Sequence, residues 1–381
     1  MRDEFLTFGK PLIGQEEIDE VVASLRSGWV GTGPNVARLE RMLEAYLGAK
    51  HVRCVSSCTA ALCLSMKALD IGPGDEVIVP AMTFVASANA IENIGARPVL
   101  VDSDSETGLI DLDAAAQAIT ERTKAIMPVH LAGRPVDLDR LADLTDRNGL
   151  HVIEDAAHAI GAEWGGRKIG AHGNVAAFSF YVTKNITTIE GGAIATDDLA
   201  IAEQVERLAL HGLSTDAWRR FSDAGFRHYE VVQPGFKFNM TDVQAAIGIH
   251  QLPKLDSWIE QRAAMSVRYD RLLRHLPVAT PPPPANAMRH AHHLYQVQVG
   301  DDARLSRDHV LDRLHSDKIG VGVHYRGVHL HPYYRDRYEI APESLPVATD
   351  ISNRTLSLPL SPLVDWRDQD DVVQSLTAAL T

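Results

Sequence analysis

The sequence predicts an α/β fold: a mostly parallel sheet between helices, followed by a smaller α+β unit. Short, near-continuous apolar runs recur between residues 51 and 155 (H-V-R-C-V, D-E-V-I-V-P, R-P-V-L-V-D, K-A-I-M-P-V, H-V-I-E-D), the pattern of strands buried on both faces. Amphipathic stretches of helical period separate them, as crossover connections require. A long helical segment from Leu255 ends near the proline run Pro281 to Pro284, a natural boundary. The expected division is a large unit over residues 1–254 and a small one over residues 255–381.

Glu16 to Ser27 and Asn35 to Leu47 have helical spacing, the second after a turn whose Pro34 suits a first helical position. Between them Gly28 to Pro34 sets three glycines around Trp29, which suits close approach to a ligand or a second subunit and equally suits a plain turn. After the strand His51 to Val55, a helix begins at Ser57 to Thr59 with Leu62, Met66 and Leu69 on one face. Its free N–H groups and dipole form a ready anion site, and simple capping by serine reads equally well. Helices follow at Phe84 to Asn93, Asp111 to Ile119 and Asp137 to Arg147, alternating with the strands above. Val175 to Phe180 and Ala193 to Thr196 read as strands flanking a polar turn that holds Lys184. Leu199 to Leu210 reads as a helix, and the polar stretch through Glu230 as a mobile surface loop. Thr241 or Asp242 caps a helix from Val243, and Leu255 to His275 forms a long one. The small unit adds a strand Y-Q-V-Q-V, a helix Ser306 to Asp317, a strand V-G-V-H-Y and a terminal helix Asp368 to Leu380.

The chain of 381 residues is 45% hydrophobic and 23% charged with a formal net charge of -13. That balance argues against nucleic acid or anionic membrane as a partner, since both require a basic surface. The start M-R-D-E-F-L has no apolar signal region and no run reaches the ~20 apolar residues of a membrane span, so a cytoplasmic location is expected. Cys54, Cys58 and Cys63 are odd in number, which makes a disulfide framework unexpected. Their spacing lacks a fourth ligand, and the histidines of H-A-H-H (His290 to His293) and of His324 to Arg335 lack an H-E-x-x-H helix. No metal is expected; those histidines read as a polar substrate wall or ordinary surface.

A loop lysine such as Lys184 is solvated in most proteins, but partial burial makes an amine a nucleophile toward a carbonyl substrate or pyridoxal phosphate. In a parallel sheet ligands bind beyond the carboxyl ends of the strands, here the turns after Val55, Val79 and Ile153. At the third, Asp155 closes a buried strand with His158 three residues on. It either caps the next helix or pairs with a protonated ring nitrogen.

Six motifs in order, S-S-C-T-A-A-L, P-A-M-T-F-V-A-S-A-N-A, V-I-E-D-A-A-H-A, F-S-F-Y-V-T-K-N-I-T-T-I-E-G-G, P-G-F-K-F-N-M-T-D and S-L-P-L-S-P, resemble the DegT-type nucleotide-sugar aminotransferases. These are pyridoxal-phosphate enzymes of the aspartate aminotransferase fold (fold type I), and the resemblance runs from about Phe5 to the C-terminus. It implies that Lys184 carries the cofactor as a Schiff base and moves the reacting proton, while Asp155 keeps the pyridine nitrogen protonated. It implies that Phe84 stacks on the ring, that His158 sits near its 3-hydroxyl, and that the Cys58-Thr59 backbone and Ser179 meet the phosphate. Asn239 would reach the phosphate of the other subunit, implying a homodimer with shared sites. Trp29, His324, Tyr325 and His329 are the implied substrate contacts.

The wording K-N-I-T-T-x-E-G-G resembles the branch that aminates carbon 4 of nucleotide-linked 4-keto-6-deoxyhexoses with L-glutamate as donor. Ile189 stands where that branch usually has glycine, and Gly327 where proline is common. The alternatives are a carbon-3 keto-sugar or inosose aminotransferase and a non-catalytic regulator that binds pyridoxal phosphate or a sugar nucleotide. A dehydratase subgroup has histidine in place of the lysine, and Lys184 argues against that chemistry.

Overall fold

The computed structural model describes residues 2–213 and 230–381. The chain opens with α1 (Gln15–Ser27) and α2 (Pro34–Leu47). Strand and helix then alternate as the sequence predicts: β1 (His51–Val55), α3 (Cys58–Ala68), β2 (Glu76–Pro80), α4 (Val85–Asn93), β3 (Arg97–Val101), α5 (Leu112–Gln117), β4 (Thr123–Ile126), α6 (Leu138–Asn148) and β5 (His151–Asp155). Two short strands, β6 (Glu163–Trp164) and β7 (Arg167–Lys168), precede β8 (Val175–Ser179), β9 (Gly192–Thr196) and α7 (Leu199–Ala209). The remainder is α8 (Asp242–Gln251), α9 (Leu255–Leu273), β10 (Val278–Ala279), β11 (Met288–Arg289), β12 (Tyr295–Val299), α10 (Arg307–Ser316), α11 (Pro332–Tyr338), α12 (Pro346–Arg354), β13 (Thr355–Leu358) and α13 (Trp366–Leu380).

Seven strands form the main sheet in the order β1-β9-β8-β5-β4-β2-β3. Strand β9 runs antiparallel to both of its neighbours, and every other pair within the sheet is parallel. Every residue of β2, β8 and β9 is buried, which explains why their sequences read as unbroken apolar runs. The carboxyl ends of β2, β5 and β8 therefore share one edge, with the start of α3 beside them.

Helix α9 joins two hydrophobic cores. Leu255, Trp258 and Ile259 pack into the core of the main sheet, whereas Tyr269 and Leu273 pack with Tyr295, Val297, Leu356 and Leu358 from β12 and β13. Leu6, from the other end of the chain, belongs to the second core and bridges to Ile319. Thr241 caps α8 by accepting the Gln244 N–H. Asp242 instead turns its carboxylate to the start of α2, accepting from the Asn35 and Val36 N–H groups at 3.1 and 3.0 Å, where the helix dipole favours negative charge.

The expected strand V-G-V-H-Y does not form: within it Gly322 alone bridges to Ser357 of β13, and the chain then turns away. Helices α11 and α12 were not expected; each has a proline in its first turn, which that position tolerates. The predicted surface loop before Glu230 falls mostly at residues 214–229, outside the described residues. Among the described residues no helix is long and apolar enough to cross a membrane.

Two positions near β9 depend on backbone conformation. Ile189 has φ 68°, a left-handed conformation that costs a side-chain-bearing residue about 1–2 kcal/mol; a glycine would meet that demand freely. A Cβ on Gly192 would lie 2.5 Å from the Ser57 carbonyl carbon and 2.7 Å from the Cys58 nitrogen, both backbone atoms unable to yield. Ile189→Gly is expected to raise the denaturant midpoint, gaining about 1 kcal/mol after the entropy cost of glycine. Gly192→Ala should lower it by about 2 kcal/mol; equal, small effects at both positions would contradict this account.

Candidate active site

Strand ends and one loop place the predicted residues around a cavity of about 510 Å³. Cys58, Thr59, Phe84, Asp155, His158, Ser179, Lys184, His324 and Tyr325 all line it. The Lys184 loop is tied down by its own polar residues. Thr187 Oγ1 and the Thr188 N–H donate to the Phe180 carbonyl at 3.1 and 2.9 Å, Asn185 Nδ2 donates to the Ala291 carbonyl at 2.7 Å, and Ile186 is buried in the core.

Burial lowers the Lys184 ammonium to about 8, against the opposing pull of the Asp155 negative charge. An amine at that value is free in about one molecule in ten at pH 7, compared with roughly one in a few thousand for an ordinary lysine. Asp155 closes β5 almost without exposure, and burial pushes its carboxyl up. Ser87 Oγ donates to Oδ2 at 2.7 Å and the Ala157 N–H to Oδ1 at 3.1 Å, favouring the ionised form. Burial likewise drives His158 well below its usual value, with the Lys184 charge adding to the effect.

The start of α3 gives the cavity an anion-binding end. Ser57 caps the helix by accepting the Ala60 N–H at 3.0 Å, and its carbonyl accepts the Ala61 N–H, leaving the Cys58 and Thr59 N–H groups without acceptors among the described residues. Gly192 lies against these groups with no room for a side chain, forming a cradle of bare backbone. Ser179, buried at the end of β8, is the adjoining hydroxyl. A phosphate for these donors, a ring cation for Asp155, an aromatic face for Phe84, which is 54% exposed, and an aldehyde for Lys184 describe the functional groups of pyridoxal phosphate, and the residues present fit it.

Residues 11–377 match the DegT/DnrJ/EryC1/StrS aminotransferase family. The chain belongs to that family. It is therefore a pyridoxal-phosphate-dependent aminotransferase of the sugar-aminotransferase type. It is 44% identical over 377 residues to the spore coat polysaccharide biosynthesis protein SpsC of Bacillus subtilis, covering 98% of this chain and 97% of that one. Spr1654 of Streptococcus pneumoniae, described as a sugar aminotransferase and solved in its PMP-form, superposes with a TM-score of 0.93 at 33% identity, over 98% of both chains. Helicobacter pylori PseC, an aminotransferase involved in the biosynthesis of pseudoaminic acid, superposes with a TM-score of 0.91 at 28% identity, over 99% of both chains.

Trp29 and His329, expected as substrate contacts, do not line the cavity of this aminotransferase, and Asn239, expected at the other subunit's phosphate, lies outside its own protomer's cavity. Trp29 is 57% exposed. Asn239 donates from Nδ2 to Thr32 Oγ1 at 2.7 Å. His329, expected as a substrate contact, is fully buried in a 3-10 turn (Val328–Leu330) and bonds through Nε2 to Thr349 Oγ1 of α12 at 2.8 Å; the turn directs it away from the site.

Three cavity or supporting residues were not singled out from the sequence, Ser87, Asn185 and Arg262, and His293 was named only within the H-A-H-H run. Arg262 had a legible signal, because it falls on the mostly apolar buried stripe of α9 that Leu255, Ile259, Tyr269 and Leu273 define. It is buried, donates from Nη1 to the Leu360 and His293 carbonyls, and is pulled down to about 10 by burial.

The Lys184 value is directly measurable. In protein reductively methylated with 13C-formaldehyde, the Lys184 resonance, assigned by its absence from Lys184→Arg, is expected to titrate near pH 8: cationic below and neutral above. Because the Asp155 charge raises it, Asp155→Asn should move the midpoint lower still. A midpoint above pH 10 would contradict the burial argument.

Proposed function

We propose that this aminotransferase moves an amino group from L-glutamate to carbon 4 of a nucleotide-linked 4-keto-6-deoxyhexose, giving a 4-amino-4,6-dideoxy sugar nucleotide. The observation that carries the transamination is the convergence of Lys184, Asp155 and the open start of α3 on one cavity. The choice of carbon 4 is supported by the K-N-I-T-T-I-E-G-G sequence of the lysine loop and its likeness to that branch.

Pyridoxal phosphate supplies an aldehyde carbon to receive nitrogen and a ring to take up the electron pair of the broken C–H bond. The chain supplies the rest. Lys184 Nζ, partly neutral near pH 7, can accept a proton at one step and return it at the next. Asp155, ionised and held by Ser87 and Ala157, stabilises positive charge on a ring nitrogen and so strengthens the electron sink. Phe84 offers a face for stacking. Tyr325 and His324 form part of the wall on which a sugar would rest. The solved PMP-form and PLP-form of the Streptococcus pneumoniae relative are the two states between which a ping-pong exchange alternates.

The working unit is inferred to be a cytoplasmic homodimer whose protomers divide into residues 1–254 and 255–381. Support for the dimer comes from the exposed apolar side chains Leu25, Trp29 and Val30 and from Asn239, which lies outside its own protomer's cavity.

Protein incubated with pyridoxal phosphate is expected to show an absorbance band near the visible edge that bleaches with L-glutamate and is lacking in Lys184→Ala. Asp155→Asn should keep the fold and lose about 100-fold or more in rate. Assays with thymidine- and uridine-linked 4-keto-6-deoxyhexoses, with NMR of the product, locate the new amine; an amine at carbon 3 would overturn the assignment.

A further inference from the structure

The H-A-H-H segment acquires a role from hydrogen-bond bookkeeping. His293 is buried, lines the cavity, and has Nδ1 at 3.2 Å from Asn185 Oδ1. The orientation of that amide is fixed, because Asn185 Nδ2 donates to the Ala291 carbonyl, which can only accept. The Asn185 oxygen therefore faces His293, and Nδ1 of His293 must carry the proton. In a neutral ring Nε2 is then a bare lone pair, and among the described residues it has no hydrogen-bond partner.

His158, whose ring centroid lies 4.4 Å away, is locked in the opposite tautomer. The Ala132 N–H donates to its Nδ1 at 3.2 Å, so its proton sits on Nε2 and is donated to the Tyr325 hydroxyl oxygen at 3.0 Å. The Tyr325 proton is left free to point elsewhere. One wall of the cavity thus offers a fixed acceptor at His293 and a hydroxyl donor at Tyr325.

We propose that His293, oriented by Asn185, is a specificity-determining residue whose Nε2 accepts a hydrogen bond from a hydroxyl group of the keto-sugar substrate. This rests on the proposed sugar transamination. The charged and titratable groups facing His293 are Lys184, Arg262, His158 and His324. Their charge is positive or absent, which disfavours a cationic donor group at Nε2 and suits a neutral hydroxyl. The same surroundings, with burial, hold His293 well below its ordinary value, so it stays an acceptor across the working pH range. Glutamate offers no neutral hydroxyl, so the contact discriminates between the two halves of the exchange.

Two measurements test this on the full chain loaded with pyridoxal phosphate. In 15N-histidine-labelled protein, the ring signals absent from His293→Gln are expected to report a neutral ring protonated at Nδ1 from pH 6 to 8; protonation at Nε2, or on both nitrogens, overturns the proposal. In kinetics of the separate half-reactions, His293→Phe should raise KM for the keto-sugar by about 10-fold, the worth of one hydrogen bond. His293→Gln, which can place an amide oxygen at the same point, should recover most of that loss. The glutamate half-reaction should change much less than the sugar half-reaction in both variants. Equal losses in the two halves, or an unchanged KM for the sugar in His293→Phe, overturn the proposal while the sugar reaction itself stands. A wild-type enzyme that aminates no keto-sugar overturns the functional reading, and this proposal with it.

Discussion

A carboxylate buried without an ion-pair partner is the constraint on which this site depends. Asp155 ends β5 beneath the sheet edge, and among the described residues no cation lies within salt-bridge distance of it. The Ser87 hydroxyl and the Ala157 N–H keep it solvated by protein, with the Cys58 thiol a weaker donor 3.9 Å from Oδ1, but these neutral donors compensate little of the cost of a buried charge. The stable resolution is a cationic ligand group. The surrounding architecture, from α4 carrying Ser87 to the loop carrying Lys184, holds the carboxylate ready for one.

The lysine is shaped by the same low-polarity surroundings. Loss of hydration lowers it while the Asp155 charge opposes that shift, and the balance near 8 leaves the amine able to gain or lose a proton in neutral solution. Cys58 is held as a thiol, its value well raised by burial and by the neighbouring Asp155 charge. His158 and His293 remain neutral for want of hydration. The cavity therefore confines its exchangeable positive charge largely to Lys184, with Arg262 fixed behind two backbone carbonyls.

Much of this was legible in the sequence. Asp155 and Lys184 follow from strand ends, because apolar runs fix where strands stop and the fold fixes which edge their carboxyl ends share, whereas Ser179 was legible only through the family resemblance. The start of α3 was legible through Ser57 and the helical face behind it. Other features depend on contacts that no local pattern encodes. The strands β6, β7 and β11 are two residues long, too short for any periodicity to register. V-G-V-H-Y alternates as a strand should, yet pairs at a single residue. His329 belongs to the expected motif but faces α12 because of a turn whose direction is set by packing. His293 read as part of a polar substrate wall or as ordinary surface in a histidine-rich run, and only the distant loop residue Asn185 reveals its protonation. Arg262, an arginine in an apolar stripe, carried a signal that composition alone conceals.

The central claim is that Lys184 is the residue that holds the cofactor covalently. Protein loaded with pyridoxal phosphate, reduced with borohydride and digested should carry one pyridoxyl group, placed on Lys184 by mass spectrometry of the peptide. Modification at another lysine, or none in folded protein, would contradict the account.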